Sequence, residues 1–404
     1  MSVASDRGAG GRPLTFIFLT VFLDLLGVGI LVPVLPYIVA EFRTDALTVG
    51  LLSLTFAAAQ FLASPVLGAW SDRIGRRRVL ILSVLGTAVG YFIFGAAHTL
   101  WLLFLARLID GFTGGNISTA QAYIADVSPP EDRAKNFGLI GAAFGLGFII
   151  GPAVGGVLSH WGLRAPAYAA GILSLLTATF GYLVLPESLP PERRTRTPFR
   201  PRDLHPLNHL GEAIRRPGLA RIFLAFFAMN FAMSGLQSNF AVFTHARFDL
   251  GPQGTAWLFT LVGLIGILVQ GVLLRRVPTA GRERPIAMWG LLLMSAGFAA
   301  TAFVPAVVWL YPAIGILALG SSAAGPMLTS EVSRSVGGAE QGWVLGSLQS
   351  VASLTRIAGP VWAGLAFDHV GPGAPYWTGA LWVVAGLAAA SLSFRPADRA
   401  THAT

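Results

Sequence analysis

Three ionisable side chains fall inside long apolar runs, where a charge is costly. Asp24 lies in Phe22-Leu23-Asp24-Leu25-Leu26-Gly27-Val28-Gly29. Arg107 and Asp110 lie in Ala106-Arg107-Leu108-Ile109-Asp110-Gly111, three residues apart and therefore on one face of a helix. An acid at the centre of a membrane helix costs roughly 2.5–3.5 kcal/mol, and it persists where it faces a wet cavity or a partner. Low dielectric disfavours the charged form of a carboxyl. Asp24 is thus suited to binding and releasing a proton, although an acid bonded to neighbouring backbone is the plainer role. An arginine beside an aspartate is either a static ion pair or a relay in which the acid trades its arginine for a proton. Both readings stay open for Arg107 and Asp110.

A second constellation is the stretch Gly68-Ala-Trp-Ser-Asp72-Arg73-Ile-Gly75-Arg76-Arg77-Arg78. It gathers one acid and four arginines between two apolar runs, in a chain with only 12% charged residues. A short cationic turn between two membrane helices is held on the cytoplasmic face by its arginines. That rule explains the arginines but not Asp72 or the flanking glycines; the resemblance of this run to a transporter signature loop implies gating roles for Gly68, Asp72, Arg73 and Arg77. Asp72 is placed to accept hydrogen bonds from the free N–H groups at the start of a distant helix, the eleventh apolar segment.

Further along, Gly141 to Gly156 carries glycines at four-residue spacing, including Gly147, Gly151 and Gly155, with Pro152 among them. This pattern lets helices pack backbone to backbone, and the proline bends its helix. We expect Gly151, Pro152 and Gly155 to form a seam used in gating. Arg356 lies in another apolar run with no acid one turn away, so it needs a partner across the bundle or an anionic substrate. Tyr37, Gln60, Asn116, Gln121, Asn230, Asn239, Gln270 and Gln349 are the remaining polar candidates for substrate contact. Any one of them serves equally as interhelical glue.

The elements that position these residues are apolar helices. Of 404 residues, 54% are hydrophobic, the mean hydropathy is +0.66, and the apolar runs reach the roughly 20 residues that cross a bilayer as a helix. Twelve segments are predicted: 14–38, 47–70, 79–97, 100–124, 136–160, 164–185, 219–245, 252–274, 285–305, 307–330, 341–367 and 374–394. The first holds an acid and lacks a small-residue cleavage site, so it is not read as a cleaved signal. The stretch 186–218, rich in arginine and proline, separates two sets of six. The expected organisation is a bundle at 1–185, a cytoplasmic linker at 186–218 and a bundle at 219–404.

Orientation follows from charge. With the N-terminus inside, only Arg43, Arg164 and Arg247 fall on the outer side, and Arg107 and Arg356 fall within segments. The other 23 of the 28 Lys and Arg residues are cytoplasmic, which sets both termini inside. The net charge of +9 therefore reflects topology rather than nucleic-acid binding. There are no cysteines, which excludes disulfides and thiolate metal sites. All seven histidines lie near segment ends or in loops, and no nucleotide-binding Gly-Lys-Ser/Thr loop is present. No cofactor, metal site or direct use of ATP is expected.

The two halves read as repeats, as in many transporters. Gly138, Gly151 and Pro152 match Gly346, Gly359 and Pro360, while Gly29 and Phe42 match Gly235 and Phe248. The chemistry is not repeated. Asn230, Gly315 and Ala318 stand where symmetry would place Asp24, Arg107 and Asp110, and Arg275 stands where Asp72 would be.

Leu23–Pro36, Gly68–Leu80 and Gly141–Gly156 resemble the drug:proton antiporters of the major facilitator superfamily, most of all the tetracycline exporters, over nearly the whole chain. The resemblance implies an all-α membrane protein with twelve transmembrane helices in two pseudo-symmetric six-helix bundles. It also implies a central cavity, alternating access and proton exchange, in a monomer of the bacterial cytoplasmic membrane. It places Asp24, Asp72, Arg73, Arg77, Arg107 and Gln270 in the family's functional positions. Gly90, Met294 and Gly266 stand where the tetracycline exporters have two acids and a histidine, and Asp110 stands where they have an uncharged residue. The expected substrate is therefore a lipophilic compound, cations among the candidates, rather than a metal-bound tetracycline. A proton-coupled importer of a sugar or another polar metabolite is the first rival, and a non-transporting membrane receptor or scaffold is the second.

Overall fold

The computed structural model describes residues 11–114, 117–129, 133–195, 210–276, 282–336 and 340–392. Among the described residues the regular structure is helical. In chain order the helices are α1 (Gly11–Leu31), α2 (Leu35–Ala40), α3 (Ala46–Ile74), α4 (Arg76–Ala96), α5 (Leu100–Thr113), α6 (Ile117–Val127), α7 (Arg133–Leu158) and α8 (Ala165–Val184). They continue with α9 (Leu210–Arg215), α10 (Pro217–Phe248), α11 (Pro252–Gly266), α12 (Leu274–Arg276), α13 (Glu283–Phe303), α14 (Val307–Arg334), α15 (Gln341–Val370) and α16 (Ala374–Leu392). A π-helical stretch, Ile267–Leu273, joins α11 to α12.

Local chemistry sets several boundaries. Gly75 breaks the chain between α3 and α4 at φ +107°, a conformation open to glycine at little cost. Pro217 opens α10 at a first-turn position, where its missing N–H would have no partner anyway. Gly371 closes α15 at φ +129°.

Among the described residues, nine helices are long and apolar enough to cross a membrane. The expected count of twelve differs at three runs. The fourth run is described as α5 and α6, with residues 115 and 116 between them outside the described residues. The fifth is α7, apolar over Gly145–Trp161. The eleventh is α15, 30 residues long, in which Arg356, Gln349 and several serines dilute the hydropathy. The chain is an all-α protein with many membrane-spanning helices.

The helices form two compact units. The first comprises residues 1–44, 51–205 and 250–263, and the second comprises 45–50, 206–249 and 264–404. In the first, α1 packs along α7 and α8, and α4 along α5 and α8. In the second, α10 packs along α15 and α16, and α13 along α14 and α16.

The repeated glycines meet within each unit. A Cβ on Gly151 of α7 would sit 2.6 Å from the Cα of Gly29 on α1, and a Cβ on Gly29 would sit 2.6 Å from the Gly147 carbonyl oxygen. In the second unit, a Cβ on Gly359 of α15 would lie 2.9 Å from the Phe231 carbonyl oxygen on α10, next to Gly235. The residues paired by sequence repetition thus build the same backbone-to-backbone crossing twice. Beside the first crossing, Ile17, Val21, Leu25, Tyr123 and Ile124 form an apolar core.

Gly151→Leu should force α1 and α7 apart and lower the thermal unfolding midpoint in detergent, with a cost of about 1–3 kcal/mol or more from overpacking. Gly145→Ala, on the same helix with nothing within 4 Å of the added carbon, should leave the midpoint unchanged. Equal effects of the two substitutions would contradict this account of the seam.

Candidate functional site

The three ionisable residues of the first apolar segments come together inside the first unit. Asp24 on α1 is 7% exposed, Arg107 on α5 is 6% exposed and Asp110 on α5 is 1% exposed. Helical spacing brings an Arg107 guanidinium nitrogen within 3.3 Å of Asp110 Oδ2, a buried ion pair. The guanidinium carbon also lies 4.8 Å from the centre of the Phe94 ring and 5.6 Å from that of Phe56. These ring faces favour a cation. Asp24 lies close enough to act electrostatically on Asp110.

Tyr91 on α4, an aromatic in an apolar run, belongs to the same cluster. It is fully buried, lies within electrostatic reach of Asp110, Arg107 and Asp24, and its hydroxyl meets no partner among the described residues. Gly27, one turn beyond Asp24, makes room for it: a Cβ there would sit 3.2 Å from the ring. Sequence gave only a weak signal for Tyr91, a single hydroxyl in an apolar run, because its distance in the chain from Asp24 and Asp110 hides their proximity.

Gly90 has a related role. A Cβ there would lie 3.0 Å from Asp110 Cβ and 3.2 Å from the Ala106 carbonyl oxygen. The helix that has no acid at position 90 is thereby held against the helix that carries one at 110. A glycine in α5 does the same on its other side. A Cβ on Gly111 would stand 2.5 Å from the Phe56 carbonyl oxygen on α3.

The basic turn is organised around Arg76, a residue absent from the expected gating set. Its side chain is 9% exposed and pairs with Asp72 at 2.5 Å and with Asp126 at 3.2 Å. It also donates to Ser71 Oγ at 2.6 Å, and its backbone N–H donates to Glu187 at 2.8 Å. Asp72 therefore holds Arg76 here, and its carbonyl accepts from the Thr195 N–H at 2.9 Å. Arg73 donates to the Ala69 carbonyl at 2.8 Å. Arg77 donates to the Tyr182 carbonyl and lies over the Tyr182 ring. Gly68 faces only Ser118, 3.6 Å from where a Cβ would stand. The i, i+4 spacing from Asp72 to Arg76 was the available sequence signal.

The other candidates are dispersed. Gly151, Pro152 and Gly155 are buried on α7, with Gly151 and Gly155 against α1. Gln60 donates to the Gly114 carbonyl at 2.8 Å, a tie between α3 and the end of α5. Tyr37 donates to the Leu250 carbonyl at 2.6 Å. Gln121 is exposed on α6. Asn116 lies outside the described residues. In the second unit, Asn230 donates to the Phe226 carbonyl of its own helix at 2.8 Å, and Asn239 is buried. Gln270 is exposed on the π-helical stretch, and Gln349 is exposed on α15. Arg356 occupies the middle of α15 and is partly buried. Met294 is fully buried in α13, and Gly266 faces Ser322. Among the described residues, no group of three or more His, Asp or Glu side chains is arranged to hold a metal ion.

Long apolar helices with ion pairs and single charges buried inside them define an integral membrane transport protein. The sequence profile of the Major Facilitator Superfamily matches residues 17–282. The chain is 33% identical to the tetracycline resistance protein, class C, of Escherichia coli over 368 residues, 90% of this chain and 91% of that protein. It is 29% identical to multidrug resistance protein 2 of Bacillus subtilis (strain 168), over 86% of this chain and 87% of that one. The crystal structure of the human organic anion transporter MFSD10 (TETRAN) superposes with a TM-score of 0.72 at 27% identity, covering 95% of this chain and all of that one. The chain belongs to the major facilitator superfamily and is closely related to its bacterial tetracycline-resistance and drug-efflux members. It is a secondary transporter working by alternating access.

Breaking a buried ion pair by removing one partner typically costs about 3–5 kcal/mol. Asp72 and Asp126, 42% and 23% exposed, are partly solvated, so Arg76→Gln should cost less than a fully buried pair, about 1–2 kcal/mol, and lower the unfolding midpoint measurably. Arg78→Gln, at an exposed position of the same turn, should change stability by less than about 0.5 kcal/mol. Equal midpoints for the two variants would remove Arg76 from its central role.

Proposed function

We propose that this transporter exports lipophilic small molecules in exchange for protons. The observation that carries the reading is the burial of Asp24 in the same helical unit as the Arg107–Asp110 pair, within electrostatic reach of Asp110. The names of the tetracycline-resistance and multidrug-resistance relatives support the substrate class. On this reading Asp24 takes up a proton from the outside and releases it to the cytoplasm. Asp110, when protonated, lets go of Arg107, whose charge then rests on the Phe94 and Phe56 rings and on Asp24. Tyr91 is a positioning residue between the two acids.

The wider frame of the proposal is a monomer with twelve spans in two six-helix bundles, 1–185 and 219–404. The stretch 186–218 links them on the cytoplasmic side, where both termini also lie, in a bacterial cytoplasmic membrane. Asp72, Arg73, Arg77 and Gly68 gate the cytoplasmic end, and the α1–α7 crossing transmits the movement.

The substrate choice follows from what the spans lack. A site built to hydrogen-bond a polar ligand discriminates by factors of about 10⁴ or more, because its groups are left unpaired by the wrong ligand. Gly90, Gly266 and Met294 offer no such groups. Apolar pockets bind by burial, at about 25 cal/mol per Å² removed from water, and select loosely. Tetracycline export should accordingly be weak.

Inverted vesicles with a pH-sensitive dye test the reading. Lipophilic dyes and cations should release protons from wild-type vesicles, and Asp24→Asn should abolish this response, by tenfold or more, in protein that remains folded. Normal coupled export by Asp24→Asn would exclude that carboxyl as the carrier. The same measurement on Asp110→Asn distinguishes one carrier from two. Cells that gain strong tetracycline resistance, with none to lipophilic dyes or cations, would contradict the substrate class.

A further inference from the structure

Arg356 stands apart from the other charges placed within the helices. Arg107 holds Asp110, Arg76 holds Asp72 and Asp126, and Arg334 holds Glu283 at 3.0 Å. Arg247 donates to the Ala302 carbonyl and lies near two rings. Arg356 has no hydrogen bond, ion pair or ring contact among the described residues.

Its position makes that isolation consequential. α15 runs from Gln341 to Val370, so Arg356 is about 21–22 Å of helix from either end. A side chain there is too deep to carry its charge to the membrane surface as residues near helix ends do. Arginines at such depth face a partner or a water-filled pathway. The helix itself shows which side is packed. Gly359 and Trp362 press against α10, with the Trp362 and Phe231 ring centres 4.9 Å apart. Arg356 lies one turn before Gly359, at the edge of this packed side, and is in line with Ser353 and Gln349 at helical spacings of three and four. Gln349 on that line is exposed. A strip of glutamine, serine and arginine along the middle of a membrane helix is a polar track with one uncompensated positive charge.

We infer that Arg356 receives an anionic group of the transported molecule, so that the preferred substrates are lipophilic organic acids carrying a carboxylate or sulfonate. A guanidinium is always charged and offers paired N–H donors that match two oxygens of such a group. Gln349 and Ser353 add neutral hydrogen-bonding capacity beside it. The inference rests on the exporter reading above and narrows its substrate class.

The test uses the full-length protein in detergent and in inverted vesicles, with pyrenebutyrate and its neutral primary amide as probes. Fluorescence anisotropy should show wild type binding the acid roughly 10- to 100-fold more tightly than the amide, the range expected for a hydrogen bond to a charged group. Arg356→Gln should lose that preference, its affinities for acid and amide differing by less than about twofold. Arg356→Lys should keep part of it. Equal affinity of wild type for acid and amide overturns the inference, whether or not the glutamine variant folds. So does undiminished acid binding by Arg356→Gln. Transport of the amide with no advantage for the acid leaves the exporter reading standing without this refinement. Binding of neither probe by folded wild type overturns the inference, while proton release by lipophilic dyes in the same vesicles keeps the exporter reading.

Discussion

A charge in hydrocarbon must be paired, hydrated or neutralised, and this constraint shapes the first unit around Asp24, Arg107 and Asp110. The arginine and aspartate are placed by one helical turn, and their pairing limits the cost of burying both. The rings of Phe94 and Phe56 spread the remaining positive charge over an apolar surround. For the groups to meet, three helices must approach closely. Gly90, Gly111 and Gly27 remove the side chains that would hold them apart. The polar chemistry therefore depends on residues that have none.

The scaffold is repeated, whereas the chemistry is one-sided. Gly29 meets Gly151, and Gly235 meets Gly359, so each unit contains an equivalent crossing, α1 with α7 and α10 with α15. Such crossings rest on van der Waals contact, which in a bilayer replaces the hydrophobic drive between helices. On that common frame the first unit carries two acids and a paired arginine. The second has Asn230, Gly315 and Ala318 in the corresponding places and a single mid-helix arginine, Arg356. A duplicated frame of this kind keeps the geometry needed for rocking while leaving each half free to bind different charges.

The basic turn shows how one motif serves two physical demands. Arginines at a membrane edge orient the helices, and any of the four would do so. Arg76 is distinguished by its burial and by two carboxylates, Asp72 and Asp126, that converge on it from α3 and α6. Glu187 secures its backbone N–H from beyond α8. The turn is thereby tied to segments more than fifty residues away, and a change of charge at Asp72 is felt by all of them.

Much of this was legible in the chain itself. Hydropathy is a local sum, so the membrane-spanning character and the helical class could be read without a fold. Spacing within one helix is also local, which is why the Arg107–Asp110 pair was visible. The internal repeat was visible because glycines and prolines at fixed offsets survive as a pattern. Contacts between helices were not. That Tyr91 joins the acids, that Gly90 backs directly onto Asp110 and that Arg76 rather than Arg77 anchors the turn depend on which faces of separate helices meet. The isolation of Arg356 likewise became visible only when every neighbouring helix had been placed. A single sequence records which side chains a helix carries. Which of them share a space is decided by packing, because in a chain of apolar helices many pairings bury similar area, and only the close fit of small residues at particular crossings selects one.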